Sequence, residues 1–241
     1  MRDTLIKVVA VNGSVRMEKS DTAMLLGPFL EGMEKAGASV ELFYVKRLNI
    51  RPCIGDFYCW NTKPGECIIS DDMQILYPKL RGADILVLAT PVYIPLPGEM
   101  QNFINRLCPL SPLIEPILEK HEGSTRARFH ENVRIRKIVL VSASGWWELG
   151  NFGIVLHIAE EIAKKVGVEF AGAVLRPHAF LMRENKEKAE IIKDALKHAG
   201  FQLIKDGKMS EDILDKISQP LISEEDLRQR YNEPYMKIKH G

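Results

Sequence analysis

The 241-residue sequence has little net charge, no long apolar run and no leader pattern. Its 33 Lys and Arg residues nearly balance 32 Asp and Glu residues, so composition indicates no general attraction to nucleic acid or to an anionic membrane. No apolar stretch approaches the roughly 20 residues that cross a bilayer. Lys7 interrupts the first apolar stretch and no small-residue cleavage site follows it, so we predict no signal peptide. We therefore expect a cytoplasmic protein without nucleic-acid or membrane partners.

Two common nucleotide-binding motifs are also missing. Gly13 stands alone, so there is no G-x-G-x-x-G, and the sequence contains no Gly-Lys-Ser or Gly-Lys-Thr of a Walker loop. These absences argue against the usual dinucleotide-binding domain and against an ATPase. Cysteine is scarce, and four residues in a chain of this length do not form a disulfide scaffold. Hydrophobic residues make up 46% and charged residues 27%, which is typical of a folded chain.

Short apolar runs alternate with stretches of helical periodicity along most of the chain. The pattern predicts strands at 6–12, 40–45, 84–89, 138–143 and 168–175. It predicts helices at 20–36, 70–80, 98–107, 152–166 and 186–204. Such alternation favours a doubly wound, five-stranded parallel α/β sheet over residues 1–205. We expect a cysteine-containing loop at 46–70, an insertion at 109–132 and a helical C-terminal extension at 206–241, with helices near 210–217 and 223–238.

Ligands of such sheets bind beyond the carboxyl ends of the strands, at the point where the strand order reverses. The loop after the first strand leads into a helix N-terminus, which attracts phosphate. Hydroxyl groups and one guanidinium are available there, from Ser14, Ser20, Thr22 and Arg16. The loop alone only slightly favours a phosphate site over a capped helix that follows a polar turn.

The loops after the third and fourth strands offer flat apolar surfaces. Residues 89–98 contain three prolines beside Tyr93 and Ile94, and residues 142–148 combine small residues with Trp146 and Trp147. Rigid backbone beside aromatic rings suits a planar heterocycle. A rigid turn with a buried tyrosine, and tryptophans in the core or at an interface, are the alternative interpretations.

Taken together, these loops resemble those of a known family. With Gly13-Ser14-x-Arg16 before Asp21-Thr22, and with Thr90-Pro-Val-Tyr93, the chain resembles the flavodoxin-like NAD(P)H-dependent FMN reductases, especially the iron–sulfur flavoprotein branch. The resemblance implies non-covalently bound FMN. Its phosphate would be surrounded by Ser14, Arg16, Ser20, Asp21 and Thr22. Its isoalloxazine ring would be lined by Pro91, Val92, Tyr93 and Ile94, and its other edge closed by Ser144, Gly145 and Trp146.

One position in the phosphate loop departs from the family pattern. The family usually has asparagine where this chain has Asp21. A carboxylate beside a phosphate is unfavourable unless it points away as a helix cap, so Asp21 fits the phosphate site least well of these five residues.

Three of the four cysteines form the pattern C-x5-C-x7-C from Cys53 to Cys67. The iron–sulfur branch has a compact four-cysteine pattern. By spacing, Asp56 occupies the position of the second cysteine of that pattern. Cys53, Asp56, Cys59 and Cys67 could hold an iron–sulfur cluster or zinc, or Cys53 and Cys59 could form a redox dithiol. We favour free thiols and no metal. Cys108, in an apolar context, is interpreted as a buried small residue apart from the others.

The resemblance implies an FMN-dependent oxidoreductase that passes reducing equivalents from NAD(P)H or a protein donor to a small-molecule or protein acceptor. No side chain is assigned as a catalytic acid or base, because the flavin carries the redox chemistry. The alternatives are a non-enzymatic electron carrier of the iron–sulfur flavoprotein type and a domain that has lost its flavin. We also expect a homodimer or homotetramer, because residues 209–240 are amphipathic and look poor in core partners.

Overall fold

A computed structural model describes residues 5–112 and 128–240. Five strands form one parallel sheet in the order β2-β1-β3-β4-β5. Their bounds are β1 Lys7–Asn12, β2 Ser39–Tyr44, β3 Ile85–Pro91, β4 Lys137–Ala143 and β5 Glu169–Arg176. The predicted flavodoxin-like fold class is confirmed. Most of the predicted 109–132 insertion, residues 113–127, lies outside the described residues.

Eight α-helices surround this sheet in the part of the chain that the structure describes. They are α1 Asp21–Lys35, α2 Tyr58–Asn61, α3 Met73–Gly82, α4 Gly98–Asn105, α5 Gly153–Val166, α6 Lys186–Lys205, α7 Glu211–Ser218 and α8 Glu224–His240. Two details differ from the sequence predictions: β3 continues through Pro91, and the single turn α2 lies inside the cysteine segment. None of the described helices is both long and apolar enough to cross a bilayer.

Both faces of the sheet are buried, which explains why its central strands are apolar without alternation. One core combines strand residues with α1, α6 and α7, and its strand residues include Val8, Ala10, Val87 and Val139. The opposite core combines strand residues with α3, α4 and α5, and its strand residues include Val9, Val11, Leu86 and Leu140. Successive residues of a strand therefore enter different cores, and the sheet fixes the relative positions of all its connecting loops.

The beginning of the C-terminal extension packs on the same core as α1 and α6. Its buried apolar residues are Met209, Ile217, Leu221 and Leu227. The expectation that residues 209–240 lack core partners within the chain is therefore wrong for the segment 209–227. The amphipathic spacing reflects packing on the chain's own sheet. The domain division after residue 205 stays a prediction.

Arg176, at the end of β5, fixes this extension to the sheet. The guanidinium is fully buried, and its Nη1 donates hydrogen bonds to the carbonyl oxygens of Ile217 and Gln219. These carbonyl groups lie at the C-terminal end of α7, where the helix dipole favours a cation. Burial lowers the pKa of Arg176 to about 10. The sheet edge and the end of α7 therefore share one hydrogen-bonded contact.

Helices α1 and α6 approach so closely that two glycines form their contact. A Cβ atom on Gly32 would lie 1.9 Å from the carbonyl oxygen of Lys197, and one on Gly200 would lie 2.0 Å from that of Phe29. Backbone lies against each glycine, so a flexible side chain cannot move away to make room. The spacing of these helices depends on the absence of both Cβ atoms.

We predict that Gly32→Ala will lower the free energy of unfolding by about 1–3 kcal/mol, because it overpacks this contact. Gly27→Ala is the matched control on the same helix, since a Cβ atom there would meet nothing within 4 Å. That change should raise stability by up to about 1 kcal/mol, because alanine favours a helix over glycine. Urea denaturation of both variants measures the two effects. Equal shifts in the same direction would contradict the close contact.

Candidate functional site

The loops after β1, β3 and β4 lie side by side at the carboxyl edge of the sheet and are joined by hydrogen bonds. The Gly13 amide donates to the carbonyl oxygen of Ala89 at 2.7 Å. The Val92 amide donates to that of Ala143 at 3.0 Å, and the Ser142 hydroxyl donates to that of Thr90 at 2.8 Å. The structure therefore brings the three predicted loops together as one surface.

The first loop turns tightly before helix α1 begins. The Ser20 hydroxyl donates to the carbonyl oxygen of Met17 at 2.6 Å and accepts from the Ala23 amide at 3.0 Å. Ser20 is therefore the N-cap of α1, and its hydroxyl is already engaged within the protein. The Ser14 amide donates to Asn12 Oδ1 at 2.9 Å, which shapes the turn after the strand. Ser14 itself is buried.

Several polar groups in this loop have no partner in the described residues. Thr22 Oγ1 and Asn12 Nδ2 are buried without a hydrogen bond. The amides of Val15 and Arg16 have no acceptor among the described residues, and the Arg16 side chain is exposed there without an ion-pair partner. Buried polar groups are nearly always satisfied, so unpartnered donors beside a free guanidinium indicate a place for an anion.

Arg183 compensates the negative charge of the Asp21 carboxylate, which would otherwise repel a phosphate. Its guanidinium donates to Asp21 Oδ1 at 2.7 Å and 3.0 Å, and to the carbonyl oxygen of Lys19 at 2.9 Å. The Asp21 carboxylate is therefore neutralised by a cation 162 residues later in the chain. Sequence reasoning did not find Arg183 or Asn12, because no local pattern connects Arg183 to Asp21 and Asn12 follows a strand as an ordinary turn residue.

The second loop presents apolar side chains to solvent. Tyr93 is 48% exposed and Ile94 is fully exposed, whereas Val92 is partly buried against the core. Pro91 is the last residue of β3. The alternative of a buried tyrosine is excluded. Exposed aromatic and aliphatic groups beside a rigid backbone suit contact with a planar apolar ring.

The third loop holds its backbone through internal hydrogen bonds. The Ser144 hydroxyl accepts from the Trp146 amide at 3.1 Å, and the Ser144 amide donates to the carbonyl oxygen of Arg176 at 3.0 Å. Gly145 is exposed, and Trp146 is 52% exposed. The Trp146 ring stacks on Tyr231 of helix α8, a neighbour that the sequence pattern did not indicate.

Gly13 has a packing role beneath the site. A Cβ atom on Gly13 would lie 2.7 Å from the Cβ of Met100, a buried residue of α4. This glycine therefore lets α4 approach the end of β1 closely. The approach sets the distance between the first loop and the segment that follows β3.

The geometry agrees with what comparison with known proteins shows. The sequence model of the family described as NADPH-dependent FMN reductase matches residues 6–147, more than half of the chain. The chain belongs to the NADPH-dependent FMN reductase family. The matched range includes the first and second loops and ends within the third, so all three segments of the candidate site lie in the family region.

Curated relatives of this FMN reductase family member carry the name iron–sulfur flavoprotein. One from Archaeoglobus fulgidus is 40% identical over 86 residues, which are 36% of this chain and 42% of that protein. One from Methanocaldococcus jannaschii is 33% identical over 123 residues, 51% of this chain and 58% of that protein. The chain thus spans about half the length of these relatives. The predicted membership of the FMN reductase family is confirmed, and the chain is similar to proteins named iron–sulfur flavoprotein, as the sequence motifs indicated.

Solved structures support the same fold. An NAD(P)H:quinone oxidoreductase from Methanothermobacter marburgensis has a TM-score of 0.58 and 15% identity, covering 83% of this chain and all of that one. An FMN-dependent NADH-azoreductase from Bacillus anthracis, solved with FMN, has a TM-score of 0.57 and 11% identity, with 83% and 100% coverage. At these identities the likeness shows the fold alone.

The residues of the site fit the FMN that this reductase family binds. Thr22 Oγ1 is a buried hydroxyl without a partner in the described residues, and it lies at the N-terminus of α1, where the helix dipole favours an anion. Arg16 adds a charged donor, and the Asp21 carboxylate is already paired. The apolar second loop lies on the neighbouring strand. Polar donors at one end and an exposed apolar surface at the other match a phosphorylated planar ring.

The cysteine segment is held to the sheet domain by a buried ion pair. Arg106, just after α4, donates to both carboxylate oxygens of Asp71 at 2.7 Å and 3.1 Å, and to the carbonyl oxygen of Arg51 at 2.8 Å. Both side chains are almost completely buried. Burial opposes ionisation of Asp71, but the hydrogen bonds from Arg106 and two backbone amides keep its pKa below the ordinary value. Both ends of the segment are therefore fixed.

Cys108 lies within electrostatic range of the other three cysteines, although it is distant from them in the sequence. The pKa of Cys59 is raised to about 11, mainly by burial and to a smaller extent by the nearby Cys108 thiol. Burial also raises the pKa of Cys108, with added effects from Cys53 and Cys67. Trp60 Nε1 donates to the carbonyl oxygen of Cys108 at 3.2 Å, which connects α2 to the turn that carries this cysteine. The fold supplies a neighbour that the spacing did not reveal.

As arranged, these thiols do not fit a metal centre. Burial raises the pKa of both Cys59 and Cys108, which disfavours their thiolates in the metal-free protein. Within residues 5–112 and 128–240, no group of three or more potential ligands is placed to hold a metal ion. Asp56 accepts a hydrogen bond from the Tyr58 amide at 3.3 Å, within the turn that precedes α2. We derive no function through an iron–sulfur cluster.

We predict that protein purified with or without air will contain stoichiometric flavin but negligible iron and acid-labile sulfide. The physical reason is that no three or more potential ligands among the described residues are placed to hold a metal ion, and that Asp56 already accepts a hydrogen bond from the Tyr58 amide. Metal analysis and sulfide assay measure this directly. Stoichiometric iron with sulfide in the anaerobic sample would overturn it. In that case, loss of iron in Cys108→Ser but not in Asp56→Ala would identify Cys108 as the fourth ligand.

Proposed function

We propose that this protein is an FMN-dependent oxidoreductase that takes reducing equivalents from NAD(P)H or a protein donor and passes them to an acceptor. The observation that carries the proposal is the buried Thr22 hydroxyl, which has no partner among the described residues. Like the Arg16 guanidinium, which also has none there, it lies in the connection after β1, where the strand order reverses. Membership in the reductase family supports the same reaction class. The acceptor is a small molecule or a protein.

The phosphate of FMN would be held by the first loop. We assign Arg16, Thr22 and the amides of Val15 and Arg16 as its donors, since these groups are free within the described residues. Ser14 shapes the turn. Ser20 and Asp21 act indirectly, because Ser20 caps α1 and Asp21 binds Arg183. Of the five residues that sequence analysis assigned to the phosphate, two therefore bind the protein itself.

The ring of FMN would lie against the second and third loops. Tyr93 and Ile94 provide exposed apolar surface, and Gly145 and Trp146 lie on the neighbouring loop. These groups exclude water from one side of a planar ligand and leave another side open to a donor or acceptor. FMN, when bound, supplies both two-electron and one-electron chemistry. The chain's residues bind and orient it, and none is assigned a proton-transfer role.

A non-enzymatic electron carrier is the second candidate function. The observation that favours it is the set of relatives named iron–sulfur flavoprotein, together with four thiols gathered near one another. The two functions differ in their use of nicotinamide. An oxidoreductase oxidises NADH or NADPH in the steady state, whereas a carrier exchanges electrons only with protein partners.

Two measurements test the proposed function. The absorption spectrum of purified protein should show flavin bands, and added NADH or NADPH should bleach them under nitrogen and be oxidised in repeated turnover with a quinone or dye acceptor. Flavin bands without nicotinamide oxidation would favour the electron carrier. Absence of flavin, and no binding of added FMN, would refute both functions.

We predict that Arg16→Ala will weaken FMN binding roughly 10- to 150-fold, because a charged hydrogen bond contributes about 1.5–3 kcal/mol. Riboflavin, which lacks the phosphate, should bind both proteins about equally. Fluorescence titration of the apoprotein measures both ligands. Lys35→Ala is the charge-matched control, since Lys35 is exposed at the far end of α1 and pairs with Glu31.

A companion variant separates ligand binding from folding. Thr22→Val keeps the side-chain shape and removes an unpartnered buried hydroxyl, so it should not lower the free energy of unfolding. It should still weaken FMN. If Arg16→Ala lowers the affinities for FMN and riboflavin equally, or if both variants bind FMN as tightly as the wild type, the assignment of the phosphate to the first loop is refuted.

We further propose a homodimer or homotetramer. Its support is the exposed apolar surface around the second and third loops, where Ile94, Leu149 and Ile154 are each more than half exposed. Burial of such surface between copies is favourable. Light scattering at micromolar concentration should give a multiple of the 27.3 kDa chain mass. A monomer mass would refute the proposal.

A further inference from the structure

Helix α8 contacts the third loop through the side chain of Tyr231. The Tyr231 ring stacks on the Trp146 ring with centroids 5.2 Å apart and an angle of 24° between planes. The Tyr231 hydroxyl donates to the carbonyl oxygen of Gly145 at 2.9 Å. One side chain of the C-terminal extension therefore contacts both the backbone and the aromatic ring of a candidate site loop.

The path of α8 toward this loop is fixed by contacts on both sides of the helix. Leu227 is completely buried in the core that also contains α1 and α6. Arg230 pairs with Glu184, just before the start of α6, and the Arg228 guanidinium lies 5.0 Å from the Trp147 ring centroid. These contacts orient the face of α8 that carries Tyr231 toward the third loop.

Trp146 depends on its neighbours for its orientation. Its ring is half exposed, and the residue before it is the exposed Gly145, where even a Cβ atom would meet nothing within 4 Å. Trp147 contacts it edge to face, with centroids 5.9 Å apart and planes at 69°. Tyr231 supplies the stacking contact on the indole, so removal of Tyr231 leaves that surface of the ring without support.

We propose that Tyr231 is a positioning residue that holds the Trp146 ring in place against the FMN site. Helix α8 thereby supports the third loop. This inference rests on the proposed function, because it places FMN at the three loops. Tyr231 touches no part of the cofactor. It acts through the Trp146 ring and the Gly145 carbonyl group.

Three variants of the full-length chain test this role. Tyr231→Ala removes the stack and the hydrogen bond, whereas Tyr231→Phe keeps the stack. Asn232→Ala is the matched control, because Asn232 is the next residue on α8, is exposed and has no recorded side-chain partner within the described residues. Trp146 fluorescence is isolated by placing all variants in a Trp60→Phe, Trp147→Phe background.

In the apoprotein, Tyr231→Ala should shift Trp146 emission to the red and increase its quenching by iodide. Tyr231→Phe and Asn232→Ala should keep the parent emission. In titrations of otherwise unmodified apoprotein, Tyr231→Ala should raise the Kd for FMN about 2- to 10-fold, because an aromatic pair is worth about 0.5–1.5 kcal/mol. Tyr231→Phe should recover most of the lost affinity.

The outcomes separate this inference from the proposed function. If the wild type binds FMN but Tyr231→Ala leaves both Trp146 quenching and FMN affinity unchanged, the positioning role is refuted and the proposed function stands. Altered quenching without any change in FMN affinity also refutes it, because Tyr231 then only attaches the extension. If the wild type binds no FMN, the proposed function fails first, and this inference fails with it.

Discussion

The order of the strands is the constraint on which the site depends. The chain passes from β1 to β2 on one side and then returns past β1 to β3, so α1 and α3 cover opposite faces of the sheet. The loops that follow β1 and β3 diverge at this point and leave a crevice between them. Gly13 matters here because it lets Met100 of α4 approach the end of β1. The order of the parallel strands therefore determines where an anion and a planar ring can bind side by side.

Charge at the first loop is arranged by distant parts of the chain. A carboxylate at position 21 would repel a phosphate, but the salt bridge with Arg183 leaves Asp21 compensated and adds a cation to the rim of the site. Arg183 comes from the turn after β5, which the sheet places near α1. The Thr22 hydroxyl and the Arg16 guanidinium, which have no partner in the part of the chain that the structure describes, then remain available. The departure from the family pattern at position 21 is thus matched by a partner elsewhere in the structure.

Sequence periodicity predicted nearly every strand and helix, because buried faces repeat every two or 3.6 residues and glycine or proline marks their ends. The same reasoning identified all three loops, since loop positions follow from strand order. It could not find Arg183, Cys108 or Tyr231, because each meets its partner through tertiary packing across long sequence separations. It also mistook the amphipathic segment 209–227 for a surface that packs on another subunit. Periodicity shows that a helix buries one face, but the partner of that face is set by the whole fold.

Apolar burial stabilises the docking of the C-terminal extension on the sheet, and burial of a charged group offsets part of that stabilisation. Burial of Ile217, Leu221 and Leu227 stabilises docking by about 1.5–3 kcal/mol for each side chain. The two hydrogen bonds from Arg176 Nη1 fix the end of α7, but burial of this guanidinium offsets part of their contribution, since its Nε and Nη2 find no partner among the described residues. The net docking energy is therefore smaller than the apolar contacts alone provide. Within α8 the core buries Leu227, and the stacking and hydrogen bond of Tyr231 form a second contact at the third loop. The position of this helix and the arrangement of the third loop therefore depend on each other.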